Sequence, residues 1–306
     1  MLSRREVIKL AGLTSGMLMT GSDFLSAKTN AAMLLRSIPS SGEKLPAVGL
    51  GSWQQFDVGP SDAERLPLKD VLTKMNEMGG KVIDASPMYG RAEQVIGDLS
   101  EGLKLNDRFF MATKVWTTGK QAGIAQMNDS LRKMKRSKID LMQIHNLQDW
   151  QTHLGTLRDW KAAGKIRYIG VTHYTNSAHD QLETIVKSNQ VDFVQFNFSI
   201  RSRNAEKSLL QAAKDNGVAV LINEPFDQGA LFRAVKGKEL PSWTAEYDIN
   251  SWAQLFLKYI LSNTAVTCVI PGTSDVKHLV DNLGAALGRL PDEAGRKKIV
   301  NLITSI

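Results

Sequence analysis

The sequence predicts an α/β fold, a closed (β/α)8 TIM barrel preceded by an N-terminal β-hairpin. Short apolar runs alternate with longer helical patterns eight times along the chain, as a parallel barrel requires. Polar residues recur where these runs end, at the edge on which such folds carry their functional loops. The 306 residues, 42% of them hydrophobic, exceed the roughly 250 residues that one such barrel needs.

Residues 1–31 are predicted to be a twin-arginine export signal, and residues 32–306 the barrel. Arg4 and Arg5 precede an apolar stretch, Leu10 to Gly21, which small residues follow. This stretch is shorter than the roughly 20 apolar residues that span a bilayer. We therefore expect a periplasmic protein with the twin-arginine translocase as a transient partner. The alternative is that these residues are a disordered basic tail without an export function. The expected location is then the cytoplasm.

The hairpin is predicted from two short runs, Met33–Arg36 and Lys44–Ala47, around a turn-rich segment. Eight further runs are strand candidates: 48–53, 81–85, 109–115, 139–144, 166–172, 193–196, 218–222 and 267–270. Eight periodic segments are helix candidates: 66–78, 91–103, 119–135, 154–163, 177–188, 203–215, 250–261 and 275–287. Three long loops are expected to carry substrate specificity: 54–67, 117–123 and 228–249.

A doubly wound sheet is the main structural alternative. It requires a Gly-x-Gly-x-x-Gly turn after the first strand. Residues 49–54 contain only the first two of these glycines, and a long loop follows instead of a tight turn. The barrel is therefore favoured.

The charge of +7 comes from basic residues scattered among acids rather than clustered with aromatics, which argues against nucleic-acid binding. The lone Cys268 excludes a cysteine-based metal cluster, and His145 and His153 near Asp149 match no helical ligand spacing. We expect no metal, no stable membrane span in the mature form and a monomer.

Four residues are predicted to meet at the carboxyl edge of the barrel. Asp84, Lys114 and His145 end the second, third and fourth strands, and Tyr89 lies on the loop after Asp84. Neighbouring strands are about 4.8 Å apart, so these side chains can touch. Taken singly, an Asp84–Lys114 ion pair or a turn tyrosine has ordinary structural explanations, but together the four residues indicate catalysis.

The four residue types suit proton delivery to a carbonyl oxygen while hydride reaches the carbon. A phenol with a pKa near 10 is a weak acid, and we expect the Lys114 ammonium to lower the pKa of Tyr89. Asp84 keeps that lysine charged, and His145 hydrogen-bonds the oxygen. Tyr89 is then the general acid.

The chain resembles the aldo/keto reductases in an ordered series of motifs between residues 34 and 287. The matching segments are Val48–Trp53, Ile83–Gly90 with Ala92, Glu93 and Gly97, Ala112–Val115, Ser130–Met134, Ile139–His145, Gly164–Val171 and Ile270–Thr273 with Leu279 and Asn282. The resemblance implies a barrel that binds NADP, with NAD also possible, and reduces carbonyl compounds.

The resemblance also implies binding residues. Gln195 would hold the nicotinamide carboxamide, and Pro225, Phe226 and Gln228 would line the pyrophosphate path. The full cofactor set is Ser52, Trp53, Asp84, Thr172, His173, Gln195, Asn223, Pro225, Phe226, Gln228, Gly272, Thr273, Ser274 and Asn282. The substrate set is Trp53, Tyr89, Trp116 and His145.

The sequence departs from the family pattern at cofactor positions. Asn223 replaces an aromatic residue, and Gly272 and His278 stand where relatives carry basic residues, although Lys277 could substitute. These departures leave open a second hypothesis, a nicotinamide-binding sensor or partner subunit with little turnover. A third is Schiff-base chemistry at Lys114.

Overall fold

The computed structural model describes residues 32–306, and the predicted export signal lies outside this range. The described chain begins with an antiparallel hairpin of β1 (Leu35–Ser37) and β2 (Lys44–Pro46). The hairpin residues Ile38 and Leu45 are buried in one cluster with Phe110, Tyr168 and Phe193, which lie in the barrel strands. The hairpin thereby covers the amino-terminal end of the barrel with apolar surface.

Eight parallel strands form the barrel in sequence order, as predicted. They are β3 (Leu50–Gly51), β4 (Val82–Asp84), β5 (Phe110–Val115), β6 (Ile139–His145), β7 (Ile166–Thr172), β8 (Phe193–Asn197), β9 (Ala219–Asn223) and β10 (Cys268–Val269). Parallel bridges from Val48 to Val269 and from Gly51 to Gly272 join the first strand to the last. These bridges close the ring, so the predicted barrel is confirmed.

Helices follow the strands and surround the barrel. They are α1 (Asp62–Glu77), α2 (Ala92–Gly102), α3 (Lys120–Lys133), α4 (Trp150–Ala162), α5 (His179–Lys187), α6 (Leu209–Asp215), α7 (Ala230–Ala234), α8 (Trp252–Leu261), α9 (Val276–Gly284) and α10 (Glu293–Thr304). The short α7 and the C-terminal α10 were not predicted. Among residues 32–306, no helix is both long and apolar enough to cross a membrane.

The first helix begins four residues earlier than the predicted start at residue 66. Ser61 caps it: the Glu64 backbone N–H donates to the Ser61 hydroxyl, which itself donates to the Glu64 carboxylate at 2.5 Å. This capping interaction stabilises the first turn, and the helix continues through Pro67, which lies in its interior. The first long loop therefore ends at Ser61.

The strand register brings the polar residues to one edge. Asp84 pairs with Ala112, Lys114 with Gln143, and His145 with Thr172. Because all eight strands run in the same direction, these residues lie near the same rim, where the βα loops begin.

Candidate active site

A buried ion pair lies at the base of the rim. Lys114 Nζ donates to Asp84 Oδ2 at 2.6 Å and to the Ala85 carbonyl at 2.7 Å, with both charged side chains at most 3% exposed. Burial opposes the charge on Lys114, but Asp84 and Tyr89 together leave its pKa raised. The lysine therefore remains an ammonium, which disfavours Schiff-base chemistry because that reaction requires a neutral amine.

Two glutamines hold the other oxygen of Asp84. Gln143 Nε2 donates to Oδ1 at 2.9 Å and Gln195 Nε2 at 3.0 Å. Gln195 Nε2 also lies 3.1 Å from Gln143 Oε1. Gln143 was missed by the sequence analysis, although it lies two residues before His145 and must face the same side of the strand.

Tyr89 lies beside the lysine. Lys114 Nζ is 4.8 Å from the centroid of the phenol ring, and the ring meets His145 edge-on at a centroid distance of 5.8 Å. Burial, with smaller contributions from Asp84 and Glu224, raises the pKa of Tyr89, while Lys114 lowers it. The net shift in the pKa of Tyr89 is upward, so the prediction that Lys114 would lower this pKa is wrong. Desolvation of the phenolate outweighs the ammonium, and at neutral pH Tyr89 carries its proton.

His145 is neutral at the same rim. Burial, then the charges of Lys114 and His173, lower its pKa to about 2. Ser86 Oγ lies 2.9 Å from His145 Nδ1 in a buried contact. The imidazole therefore offers a neutral hydrogen-bonding edge rather than a positive charge.

A cavity of about 790 Å³ opens above these residues. Its walls combine polar groups at the floor with apolar side chains around the mouth, where Trp53 is 48% and Phe232 is 40% exposed. A cavity of this size, with both polar and apolar walls, suits a small organic ligand. In the part of the chain that the structure describes, no lysine or arginine lines this cavity.

Most of the sequence-predicted site residues line this cavity. They are Ser52, Trp53, Asp84, Tyr89, His145, Thr172, Gln195, Asn223, Pro225, Phe226, Gln228 and Gly272. Six predicted residues are outside the lining: Lys114, Trp116, His173, Thr273, Ser274 and Asn282. Lys114 contacts two of the lining residues, Asp84 and Tyr89. The centroid of the Trp116 ring lies 6.4 Å from that of the His145 ring.

The model of the Aldo/keto reductase family matches residues 47–297. The chain belongs to this family. The methylglyoxal reductase YeaE of Escherichia coli (strain K12) is 27% identical over 259 residues, covering 82% of this chain and 89% of that protein. An NADH-specific methylglyoxal reductase of the same organism is 25% identical over 228 residues, covering 64% of this chain and 68% of the relative.

Solved structures share the fold. An aldo-keto reductase from Klebsiella pneumoniae in complex with NADPH superposes with a TM-score of 0.73 at 24% identity, covering 89% of this chain and 96% of that one. At this level of identity the likeness establishes the barrel, and the details of the site depend on this chain's own residues.

The end of the cavity at β9 offers an amide, the side chain of Asn223. Asn223 Nδ2 donates to the His173 carbonyl at 3.2 Å and to Gln195 Oε1 at 3.3 Å, and Asn223 Oδ1 is buried without a partner among the described residues. A buried unpaired carbonyl oxygen needs a donor, and a carboxamide group supplies one. This part of the aldo/keto reductase site therefore fits a nicotinamide.

Both polar atoms of the Gln195 side chain already have hydrogen-bond partners. Its amide nitrogen contacts Asp84 and Gln143, and its oxygen accepts from Thr172 Oγ1 at 3.0 Å and from Asn223. His173 is held in another way, because its Nδ1 accepts the backbone N–H groups of Tyr174 and Thr175.

The first turn of α9 follows the predicted cofactor residues Thr273 and Ser274. Asp275 caps this helix, and its carboxylate accepts the Lys277 backbone N–H at 2.6 Å. Thr273 Oγ1 accepts the Asp275 backbone N–H at 3.0 Å, and the Ser274 hydroxyl donates to Gln55 Oε1 at 3.1 Å. Since an acid already occupies the helix terminus, a phosphate there must rely on the side chains of Lys277 and His278.

Glu224 is a cavity residue that the sequence analysis did not select. It follows β9 with a backbone φ of +49°, and its carboxylate accepts only the Gln228 amide, at 3.0 Å, among the described side chains. Burial raises its pKa. An acid directly after Asn223 was visible in the sequence, but the cavity that it faces was not.

Among residues 32–306, no cluster of three or more histidine, cysteine, aspartate or glutamate side chains has the arrangement of a metal site. Cys268 is buried in a barrel strand.

Proposed function

We propose that this aldo/keto reductase reduces aldehydes or ketones to alcohols with NADPH, and that Tyr89 is the general acid. The observation that carries the proposal is the position of a protonated, partly buried phenol, whose ring centroid lies 4.8 Å from a paired ammonium, at the floor of a cavity. NADP is the proposed cofactor, and NAD remains a second candidate because Gly272 and Asp275 offer no positive charge.

When bound, the reduced nicotinamide supplies a hydride to the carbonyl carbon. The carbonyl oxygen then gains negative charge and takes the proton from the Tyr89 hydroxyl, so that an alcohol and a phenolate result. Lys114 stabilises the phenolate, and Asp84 keeps Lys114 charged. His145, which is neutral, orients the oxygen by hydrogen bonding.

The test is NADPH oxidation, followed at 340 nm, with methylglyoxal as the first substrate because relatives are named as reductases of that compound. Tyr89→Phe should reduce kcat by a factor of about 100 or more, the usual contribution of a general acid. Tyr247→Phe, which removes a phenol outside the cavity, should leave kcat unchanged. Full turnover by Tyr89→Phe would refute the assignment of Tyr89.

A nicotinamide-binding sensor or partner subunit is the second candidate. Asn223 and the acidic Glu224 favour it, since both line the cavity where a cofactor would bind. Cofactor binding without turnover across a broad panel of aldehydes and ketones would support this alternative over the reductase.

The export route is a separate proposal that depends on the sequence of residues 1–31. We expect a fusion of these residues to a reporter to reach the periplasm through the twin-arginine translocase. Replacement of both Arg4 and Arg5 by lysine should abolish that transfer. Periplasmic delivery that persists after this replacement would contradict the proposal.

A further inference from the structure

Ser86 is a buried hydroxyl in direct contact with His145. It lies two residues after Asp84, on the loop that carries Tyr89, and is 0% exposed. Its Oγ is 2.9 Å from His145 Nδ1 and accepts the Met88 backbone N–H at 3.1 Å.

The protons in this contact can be placed by elimination. Because the Met88 amide only donates, the serine oxygen already accepts one hydrogen bond, and its own hydrogen needs an acceptor. Among the described residues, His145 Nδ1 is the one acceptor in contact with that hydroxyl. If the imidazole donated instead, the buried hydroxyl hydrogen would be unpaired, at a cost of about 1–3 kcal/mol.

The position of the imidazole proton follows. A neutral imidazole carries one hydrogen, and burial keeps His145 neutral by holding its pKa at about 2. With Nδ1 accepting from Ser86, the hydrogen is on Nε2. In the described part of the chain nothing hydrogen-bonds to Nε2, and His145 lines the cavity.

We propose that Ser86 is a positioning residue that holds His145 in the Nε2–H tautomer. In this form the imidazole presents a donor to the oxygen of a substrate, where negative charge develops as hydride reaches the carbon. In the opposite tautomer the Nε2 lone pair would face that charge and repel it. The proposal rests on the proposed reductase function for its kinetic part and is independent of it for the tautomer itself.

The tautomer is measured directly in the wild-type protein by ¹⁵N NMR of labelled histidine at pH 7. The chain has five histidines, so the His145 signals are assigned by their absence from His145→Gln. We expect protonated Nε2 and unprotonated Nδ1. Protonated Nδ1 in the wild type would overturn the proposal whether or not the protein turns over any carbonyl compound.

The kinetic test is a double-mutant cycle. Ser86→Ala should lower kcat by about 10- to 100-fold with little change in the Kd for NADPH, since the tautomer is no longer held. In the His145→Gln background the same change should have no further effect on kcat. Equal losses in both backgrounds would show that Ser86 acts independently of His145 and would overturn the proposal.

Ser100→Ala is the matched control, because Ser100 is equally buried and its hydroxyl has no partner among the described residues. It should retain wild-type kcat. If Ser86→Ala fails to fold, the wild-type tautomer measurement still decides the proposal.

Discussion

At the scale of single residues, Glu224 places an acidic side chain among the residues that line the cavity. It lies next to Pro225, Phe226 and Gln228, which the family resemblance assigns to the pyrophosphate path, and within residues 32–306 no lysine or arginine lines the cavity to balance it. An ionised carboxylate there opposes an anionic ligand, whereas a protonated one can donate a hydrogen bond to it.

We therefore predict that Glu224→Gln tightens NADPH binding by about 5- to 10-fold, the effect of removing about 1 kcal/mol of repulsion. Burial raises the pKa of Glu224, so the wild-type Kd should increase as the pH rises through that pKa. The variant should lack this component of the pH dependence. Titration calorimetry at several pH values measures both effects.

Glu239→Gln, a change at an exposed position outside the cavity, is the control and should bind NADPH as the wild type does. Identical affinities and pH profiles for Glu224→Gln and the wild type would contradict the predicted repulsion.

At the scale of elements, α2 and α3 meet at a glycine. A Cβ at Gly97 would lie 2.1 Å from the Lys133 carbonyl oxygen and 2.8 Å from the Met134 Cα. Both are backbone atoms at the end of α3, so a methyl group requires the two helices to separate.

Gly97→Ala should destabilise the protein by about 1–3 kcal/mol through overpacking, measured as the midpoint of urea unfolding. Gly102→Ala is the matched control, because it lies at the end of the same helix and a Cβ there meets nothing within 4 Å. The control should be neutral or slightly stabilising. Equal unfolding midpoints for the two variants would contradict this account of the contact.

At the scale of the whole molecule, Lys258 links distant parts of the chain. It is 0% exposed on α8, and its Nζ donates to the carbonyls of Tyr247, Leu287 and Arg289 at 2.7 to 2.9 Å. The first carbonyl belongs to the long segment after β9, and the other two precede α10. One buried ammonium therefore joins three parts of the outer layer.

Lys258→Met should lower stability by about 3 kcal/mol or more, because it removes three hydrogen bonds from a charged donor to partly buried carbonyls, each contributing about 1.5–3 kcal/mol. For a chain of this size that corresponds to a decrease in Tm of about 6 °C or more. The measurement is the Tm by calorimetry, compared between Lys258→Met and Lys236→Met. The second variant is the control, because it changes an exposed lysine. A Tm equal to that of the control would show that the three contacts contribute nothing.

The sequence alone was sufficient to predict the barrel, the hairpin and the four residues that meet at the rim. These features follow from local information: apolar runs of strand length, periodic helical segments, and polar residues at strand ends. Because parallel strands in a barrel all end on one side, the order of Asp84, Lys114 and His145 along the chain already implied their proximity.

The tertiary structure decided what depends on burial and on contacts between distant segments. The pKa of Tyr89 is raised rather than lowered because desolvation exceeds the attraction of Lys114, and the sequence does not determine desolvation. Gln143 and Ser86 joined the site because the strand register and the loop path bring them to Asp84 and His145. Such contacts are set by the three-dimensional packing of the whole chain, and no local pattern of residues encodes them.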